Sequence, residues 1–263
     1  MQKKLKRWMT QLMFIVRPCT SFCPGFRNFR LTAQWLILVF LGMACRVADA
    51  ALEDWRFELG VASDKVSRGL DLSNRRPSLQ AAASWYPGNG LFAGASVSAF
   101  PRTGLSSSIG TAVDVDAGYV WRLDSKWQAQ VAVANHQLTG SSFSQSMTYR
   151  ELAATVRWQD AIFATVSVSP DTPTGRFRGL HFVACDLVAR LPLAHGVTAT
   201  AGIGYYDLHT SDSPGSGYGN VGLSYQYRAV QLEILYIGTI GRSKSLVQGA
   251  LDNHWIFQTI WHF

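Results

Sequence analysis

The feature that most constrains the fold of this chain is a two-residue alternation of apolar and polar side chains. In residues 113–121, for example, Val, Ala and aromatic side chains occupy the odd positions, and Asp114, Asp116 and Gly118 lie among the even ones. An alternation with period two indicates β-strands whose two faces meet different environments. Twelve such segments can be delimited, at 55–63, 78–86, 91–99, 111–122, 127–137, 148–158, 161–169, 179–191, 197–207, 218–227, 229–239 and 253–263.

The connectors between these segments alternate in length. Those after the even-numbered segments are short, such as Pro87–Gly90 and Gln159-Asp160, whereas those after the odd-numbered segments are longer, such as 64–77 and 240–252. Short periplasmic turns alternating with long external loops are typical of outer-membrane barrels. The sequence therefore predicts an all-β fold, a transmembrane antiparallel up-and-down β-barrel of about 12 strands that occupies 51–263, with both its ends on the periplasmic side.

Aromatic side chains concentrate near the ends of the predicted strands, where membrane barrels carry their aromatic girdles. In the last segment Trp255, Phe257, Trp261 and Phe263 share one face, and the sequence stops at Phe263. A terminal aromatic residue on an alternating final strand resembles the signal by which the barrel-assembly machinery recognises its clients. We therefore expect Trp261 and Phe263 to serve assembly, with the lipid bilayer and that machinery as partners.

Residues 1–50 have the composition of an export signal. A basic leader precedes the apolar stretch Ala33–Ala44, and Ala48-Asp49-Ala50 offers small residues for cleavage before Ala51. The apolar stretch is short for a membrane-spanning helix, so an uncleaved anchor is the less favoured alternative. We therefore expect 1–50 to be a cleaved signal peptide of a protein of the bacterial outer membrane, in a Gram-negative cell.

The distribution of charge excludes a nucleic-acid partner. Residues 1–50 contain eight of the 24 Lys and Arg residues and one of the 17 acidic residues, so 51–263 contain 16 of each sign. Since the predicted mature chain is neutral, its overall basicity says nothing about acidic ligands. Cys185 is its sole cysteine, which leaves no internal disulfide and no thiolate metal cluster. We expect Cys185 to face lipid, and we expect neither a cofactor nor a bound metal.

Residues 57–98 carry the most specific pattern in the chain. Ser63-Asp64 is followed by Arg68-Gly69, Ser73, Pro77 and Gln80, and then by Trp85-Tyr86 and Gly90–Gly94. This pattern resembles the first hairpin of the TorF-like family, secreted proteins predicted to form outer-membrane porins. The sequence departs from the family pattern at Lys65, Asp71 and Phe92, where an aromatic residue, Ser and Tyr are usual. The resemblance implies an outer-membrane barrel with a transport function.

Three residues of this pattern lie where the first strand enters its long loop. Asp64 and Arg68 can pair with each other or with loop backbone groups, and Gly69 permits a positive φ angle. We interpret Asp64, Arg68 and Gly69 as a clamp that fixes the loop near the mouth of the barrel. The alternative is a constriction that contacts solutes.

Charged residues on the polar face of the strands are the candidate pore-lining groups. They are Arg56, Glu58, Asp114, Asp116, Glu151, Arg157, Asp186, Arg190 and Glu233. Lumen charge tunes which ions or solutes pass through a narrow pore. We therefore expect a porin-like pore for passive diffusion of small hydrophilic solutes or ions. The alternative is a closed structural or surface-interaction barrel whose loops bind an external partner.

A lipid hydrolase embedded in the barrel is the least favoured alternative, and we expect no catalytic residue. The histidines are dispersed over the predicted strands and turns, and the sequence contains no G-x-S-x-G elbow and no H-E-x-x-H motif. His136, near the outer end of its strand, is the one histidine placed to meet a loop serine, Ser141 or Ser144.

Overall fold

A computed structural model describes residues 54–101, 109–140, 146–170, 181–207, 215–240 and 253–263. The predicted signal peptide and its cleavage site lie outside the described residues. No helix in the described part of the chain has the length and hydropathy needed to cross a bilayer.

The described residues form fourteen β-strands. They are β1 (Trp55–Ala62), β2 (Val66–Ser67), β3 (Leu70–Asp71), β4 (Ser78–Trp85), β5 (Leu91–Pro101), β6 (Ile109–Arg122), β7 (Trp127–Thr139), β8 (Ser146–Trp158), β9 (Ile162–Ser169), β10 (Phe182–Pro192), β11 (Val197–Asp207), β12 (Ser216–Tyr227), β13 (Val230–Ile240) and β14 (His254–His262). All but β2 and β3 correspond to the twelve predicted segments, with ends that differ by at most three residues.

Twelve of the strands close into a barrel. Each of them pairs antiparallel with its neighbours, and β1 pairs with both β4 and β14 to complete the cylinder. At the closure Glu58 lies opposite His262, and Leu59 lies opposite Trp261. The predicted all-β up-and-down barrel of about 12 strands is therefore confirmed. Strands β2 and β3 form a separate hairpin in the connector between β1 and β4, and the sequence did not predict it.

The two faces of the barrel wall differ as the alternation predicts. Large apolar side chains such as Leu79, Val133 and Ile203 point outward and are exposed on the barrel surface. The intervening residues point inward and are mostly small, polar or charged. Cys185 is exposed on the outer face, between the inward-facing Ala184 and Asp186.

Short turns join the strands at one end of the barrel, called here the turn end, and the opposite end is called the loop end. The connector between β8 and β9 shows why the turns are tight. Gln159 and Asp160 both have positive φ angles, and the amide of Ala161 donates to the carbonyl of Trp158 over 2.9 Å. Two-residue turns in which both residues have positive φ angles match the right-handed twist of the strands that they join.

Tryptophans mark the turn end. Trp55 lies opposite Trp85 in the pairing of β1 with β4, and Trp127 lies opposite Trp158 in the pairing of β7 with β8. Each of these four residues begins or ends its strand. Their level corresponds to the aromatic girdle that membrane barrels place at a membrane–water interface.

Candidate functional site

The charged residues predicted to line a pore all lie on the inner face of the wall. Five of them are buried: Glu58, Asp114, Glu151, Arg157 and Arg190. The other four, Arg56, Asp116, Asp186 and Glu233, are half-buried. The structure thus brings all nine into one lumen, and their action on permeating solutes stays a prediction.

The lumen charges are layered along the barrel axis. Arg56, Arg157 and Arg190 lie within three residues of the turn-end limits of their strands. Arg157 contacts Asp160 at 3.1 Å and also donates to Gln128. Arg190 lies with its guanidinium carbon 5.2 Å from the centroid of the Phe163 ring. Three arginines therefore lie on the inner wall near the turn end, the same end as Glu58.

The loop end of the lumen is occupied by a hairpin. We define the lumen hairpin as residues 64–73, which contain β2 and β3 and fold back inside the barrel. At its tip the Arg68 guanidinium donates to both carboxylate oxygens of Glu151, over 3.0 and 2.8 Å, and to the Ser167 Oγ over 2.9 Å. The hairpin therefore reaches from its origin at β1 to the opposite wall formed by β8 and β9.

The contact between Arg68 and Glu151 is a buried ion pair. The exposed fractions of the two side chains are 8% and 3%. Burial lowers the pKa of Arg68, but the charge and hydrogen bonds of Glu151 outweigh this effect and hold it well above its usual value. Arg68 is thus a permanent cation whose charge is matched by Glu151.

Carboxylates fasten the base of the lumen hairpin. Asp64 accepts a hydrogen bond from the Ser73 hydroxyl, and its other oxygen lies 2.8 Å from the His254 Nε2 atom on β14. Asp71 accepts from the backbone amides of Ser73, Asn74 and Arg75 over 3.0, 2.7 and 2.9 Å. Asp64 and Arg68, which the sequence allowed to pair with each other, thus contact different walls of the barrel.

The fastening residues also include a triad of metal-ligating type. Donor atoms of Asp64, Asp71 and His254 all lie within 4.8 Å of one another. Asp64 is engaged by Ser73 and His254, and Asp71 is engaged by loop amides. Hydrogen bonds and ion pairs within the protein thus account for this cluster as a fastening of the hairpin.

Apolar packing holds the lumen hairpin on its other side. Leu72, 1% exposed, belongs to a buried cluster with inward-facing side chains from the loop ends of five strands. These side chains are Phe100 of β5, Ala112 of β6, Leu138 of β7, Met147 and Tyr149 of β8, and Phe182 of β10. Fully burying a Leu side chain contributes about 1.5–3 kcal/mol.

Gly69 is required at the tip of the hairpin for two reasons. Its φ angle of 76° is one that residues with a Cβ rarely adopt. In addition, a Cβ at this position would lie 2.8 Å from the Thr239 Cγ2 and 2.9 Å from the Tyr218 Cβ. Only a glycine allows the tip to rest against β12 and β13. The three predicted clamp residues thus all belong to the lumen hairpin.

A cavity remains between the hairpin and the wall formed by β4, β5 and β12–β14. Its volume is about 110 Å³. Its polar lining side chains include Lys65, Gln80, Asn220, Glu233 and Gln258. Since a water molecule needs about 10–15 Å³ of such volume, the cavity has room for several waters or a small solute.

Histidine–carboxylate contacts connect neighbouring strands elsewhere in the lumen. His136 Nδ1 lies 3.2 Å from Asp114 Oδ1, and its Nε2 lies 4.0 Å from Glu151 Oε2. At the turn end, His262 Nδ1 lies 3.3 Å from Glu58 Oε1. Ser141 and Ser144, the serines considered as partners of His136, lie outside the described residues.

The predicted assembly residues lie at the barrel closure. Trp261 of β14 is exposed on the outer face opposite Leu59 of β1. Phe263 is also exposed, and its amide donates to the carbonyl of Phe57 over 2.9 Å. Recognition of this strand by assembly machinery stays a prediction.

The family of the chain is decided by a comparison with family models. The model described as "Bacterial protein of unknown function (Gcw_chp)" matches residues 53–259, which include every strand except the last residues of β14. The chain belongs to the Gcw_chp family. The description of this family does not contain the TorF-like name, so that resemblance stays a prediction. No curated protein matches the sequence.

Solved structures support the fold of this Gcw_chp protein. The structure titled "KdgM porin" has a TM-score of 0.50 and 11% identity, and the match covers 79% of this chain and 99% of that one. A NanC porin structure gives 0.49 and 11%, with 79% and 98% covered. LpxR from Salmonella typhimurium gives 0.47 and 8%, with 79% and 99% covered. At 11% identity, the KdgM match shows the fold alone.

The sequence analysis missed Leu72 and the apolar side chains that cover it. Phe100, Leu138 and Phe182 occupy inward positions of their strands, where the alternation predicts polar residues. Large apolar residues on the inner face near the loop ends indicate that a segment of this Gcw_chp chain packs inside the barrel. The sequence pattern does not indicate which loop supplies that segment.

Proposed function

We propose that this Gcw_chp protein is an outer-membrane pore for passive diffusion of small hydrophilic solutes or ions. The observation that carries the proposal is a closed barrel with an apolar outer face and a charged inner face. Exposed side chains such as Leu79, Val133 and Ile203 form an apolar surface that a soluble monomer would not leave in water. Lipid of a Gram-negative outer membrane is the covering that this surface fits.

The lumen hairpin is the constriction of the proposed pore. It crosses the lumen at the loop end, where Arg68 contacts Glu151 and Leu72 packs against the opposite wall. In the proposed pore, solutes pass beside the hairpin along the cavity next to β4, β5 and β12–β14. Because the hairpin crosses the lumen and leaves less room for a solute, the proposed pore favours ions and small solutes over oligomeric ones.

Planar-bilayer conductance of refolded residues 51–263, which include every described barrel strand, tests the pore. We expect discrete conductance steps with an ion preference that responds to lumen substitutions. A compact monomer that stays in the aqueous fraction without detergent would contradict the membrane location. A bilayer-inserted barrel without conductance would contradict the pore alone.

The second candidate function is a closed barrel whose loops bind an external partner, and the packing of the lumen hairpin favours it. The conductance measurement separates the two, because a plugged barrel shows no steps in the wild type. A barrel-embedded hydrolase would require a lipase-type activity that is lost in His136→Ala, since His136 is the histidine that contacts two buried carboxylates.

A further inference from the structure

Lys65 differs from the other buried cations of the lumen. It lies three residues after the end of β1, its backbone amide donates to the Ser73 Oγ over 2.9 Å, and its carbonyl accepts from the amide of Leu72 over 2.7 Å. The residue is 8% exposed. These backbone bonds fix Lys65 at the base of the lumen hairpin, so its ammonium group is held inside the barrel.

The Lys65 ammonium group has less compensation than its burial requires. Within the described residues, its hydrogen-bond partner is the neutral Gln80 Oε1, at 3.2 Å, and no carboxylate oxygen lies within 4.0 Å. An ammonium group carries three donors, and a buried charge is costly unless it is paired. Arg68 and Arg157, by contrast, contact Glu151 and Asp160.

The cavity beside the hairpin adjoins this ammonium group. Lys65 and Gln80 line it on one side, and Asn220 of β12 lines it as well. The Asn220 Oδ1 atom is buried and has no hydrogen-bond partner in the described part of the protein. A cation with spare donors and an amide oxygen with no donor thus border one cavity of about 110 Å³.

Among the charged residues that line the cavity, Lys65 is the unpaired cation. Glu233 also lines it, but its carboxylate accepts a hydrogen bond from Gln258 and interacts electrostatically with Arg190. Asp64 is engaged by Ser73 and His254, and Arg68 is neutralised by Glu151. Lys65 is therefore the lining cation that has no ion pair within 4.0 Å among the described residues.

We propose that this cavity is a binding site for a small hydroxylated carboxylate, which deepens the pore function proposed above and rests on it. The carboxylate of the ligand accepts hydrogen bonds from the Lys65 ammonium group, and a hydroxyl group of the ligand donates to the Asn220 Oδ1. The charge-assisted hydrogen bond from Lys65 to the ligand carboxylate is the stronger of the two and sets the affinity. The hydrogen bond from the ligand hydroxyl to Asn220 sets the preference for hydroxylated over plain carboxylates.

Glycerate, glycerol and propionate are suitable probes, because glycerol lacks the carboxylate and propionate lacks the hydroxyl groups. Binding is measured by isothermal titration or saturation-transfer NMR on the whole refolded barrel in detergent. Lys65→Met removes the charge, Lys65→Arg keeps it, and Lys126→Met is the matched control at the exposed turn after β6.

We expect glycerate to bind the wild type, Lys65→Arg and Lys126→Met, and to bind Lys65→Met about 10- to 100-fold more weakly, which corresponds to one lost hydrogen bond to a charge. Asn220→Ala is expected to weaken glycerate binding and to leave propionate binding unchanged. Equal glycerate affinity in Lys65→Met, or glycerol binding as tight as that of glycerate, would overturn the proposal.

The binding readout does not depend on conduction, so the two proposals fail separately. A barrel that binds glycerate through Lys65 but shows no conductance steps keeps this site and refutes the pore. A barrel that conducts ions without measurable glycerate binding keeps the pore and refutes this site. If Lys65→Met misfolds, the comparison of glycerate with glycerol on the wild type still decides whether the site selects a carboxylate.

Discussion

Replacing Arg68 with Met is the sharpest perturbation of the lumen hairpin. The substitution keeps the length of the side chain and leaves the buried Glu151 carboxylate without the guanidinium that contacts it at 2.8 and 3.0 Å. Removing one member of a buried ion pair costs about 3–5 kcal/mol. The strand pairing of the wall does not involve Arg68, so we expect this cost to fall on docking of the hairpin rather than on the barrel.

The cost converts into a change in the docked population. Since about 1.4 kcal/mol corresponds to a factor of ten, the undocked fraction should rise by about two to three and a half orders of magnitude. Thermolysin cleavage before Leu72, which is 1% exposed when the hairpin is docked, should accelerate accordingly. In planar bilayers, larger and noisier conductance steps should accompany the undocking.

Two further variants make this prediction specific. In Arg68→Met/Glu151→Gln the carboxylate that Arg68→Met leaves without its partner is also removed, so we expect cleavage to slow again toward the wild-type rate. Arg150→Met removes the same charge from the outer face of β8 and should leave cleavage unchanged. Cleavage of Arg68→Met at the wild-type rate, with an unchanged urea midpoint, would refute the view that this ion pair docks the hairpin.

Three other measurements follow from the structure. Burial and the neighbouring Asp64 carboxylate raise the pKa of Asp71 from 3.8 to about 6. Between these two pH values the folded state binds a proton that the unfolded chain releases, so the free energy of unfolding should fall as pH rises. Urea titrations of Asp71→Asn should lack this slope. The variant Asp114→Asn/Asp116→Asn should show reduced cation preference in bilayer reversal potentials, and unchanged selectivity would remove both carboxylates from the pore lining. Cys185 should react with a lipophilic maleimide in liposomes and resist a charged thiosulfonate, whereas Asp186→Cys in a Cys185→Ser background should react with the charged reagent.

The fold was predictable because strand periodicity is local information. Asp114 and Asp116 alternate with outward-facing apolar residues, and this pattern fixed the face of every side chain in β6 without knowledge of any contact. Connector lengths then gave the up-and-down order of the strands. The same reasoning placed the nine charged residues on the inner face, where the structure has them.

The partners of those residues were not predictable, because they depend on how a loop folds in three dimensions. Arg68 and Glu151 are separated by 83 residues, and nothing in the spacing of either indicates the other. Lys65 was visible only as a departure from the TorF-like pattern. Its position beside the cavity follows from the path of the hairpin, which period-two patterns do not encode.

The packing of the lumen hairpin also bears on the proposed pore, in which solutes would pass beside the hairpin rather than displace it. Phe100, Leu138 and Phe182 face the lumen, and they are buried because Leu72 and its neighbours cover them. Undocking would expose these side chains to water as well as break the contact of Arg68 with Glu151, so the docked state is strongly favoured. In the proposed pore, a permeating anion would therefore pass on the side of the hairpin where Lys65 lines the cavity and has no ion pair among the described residues.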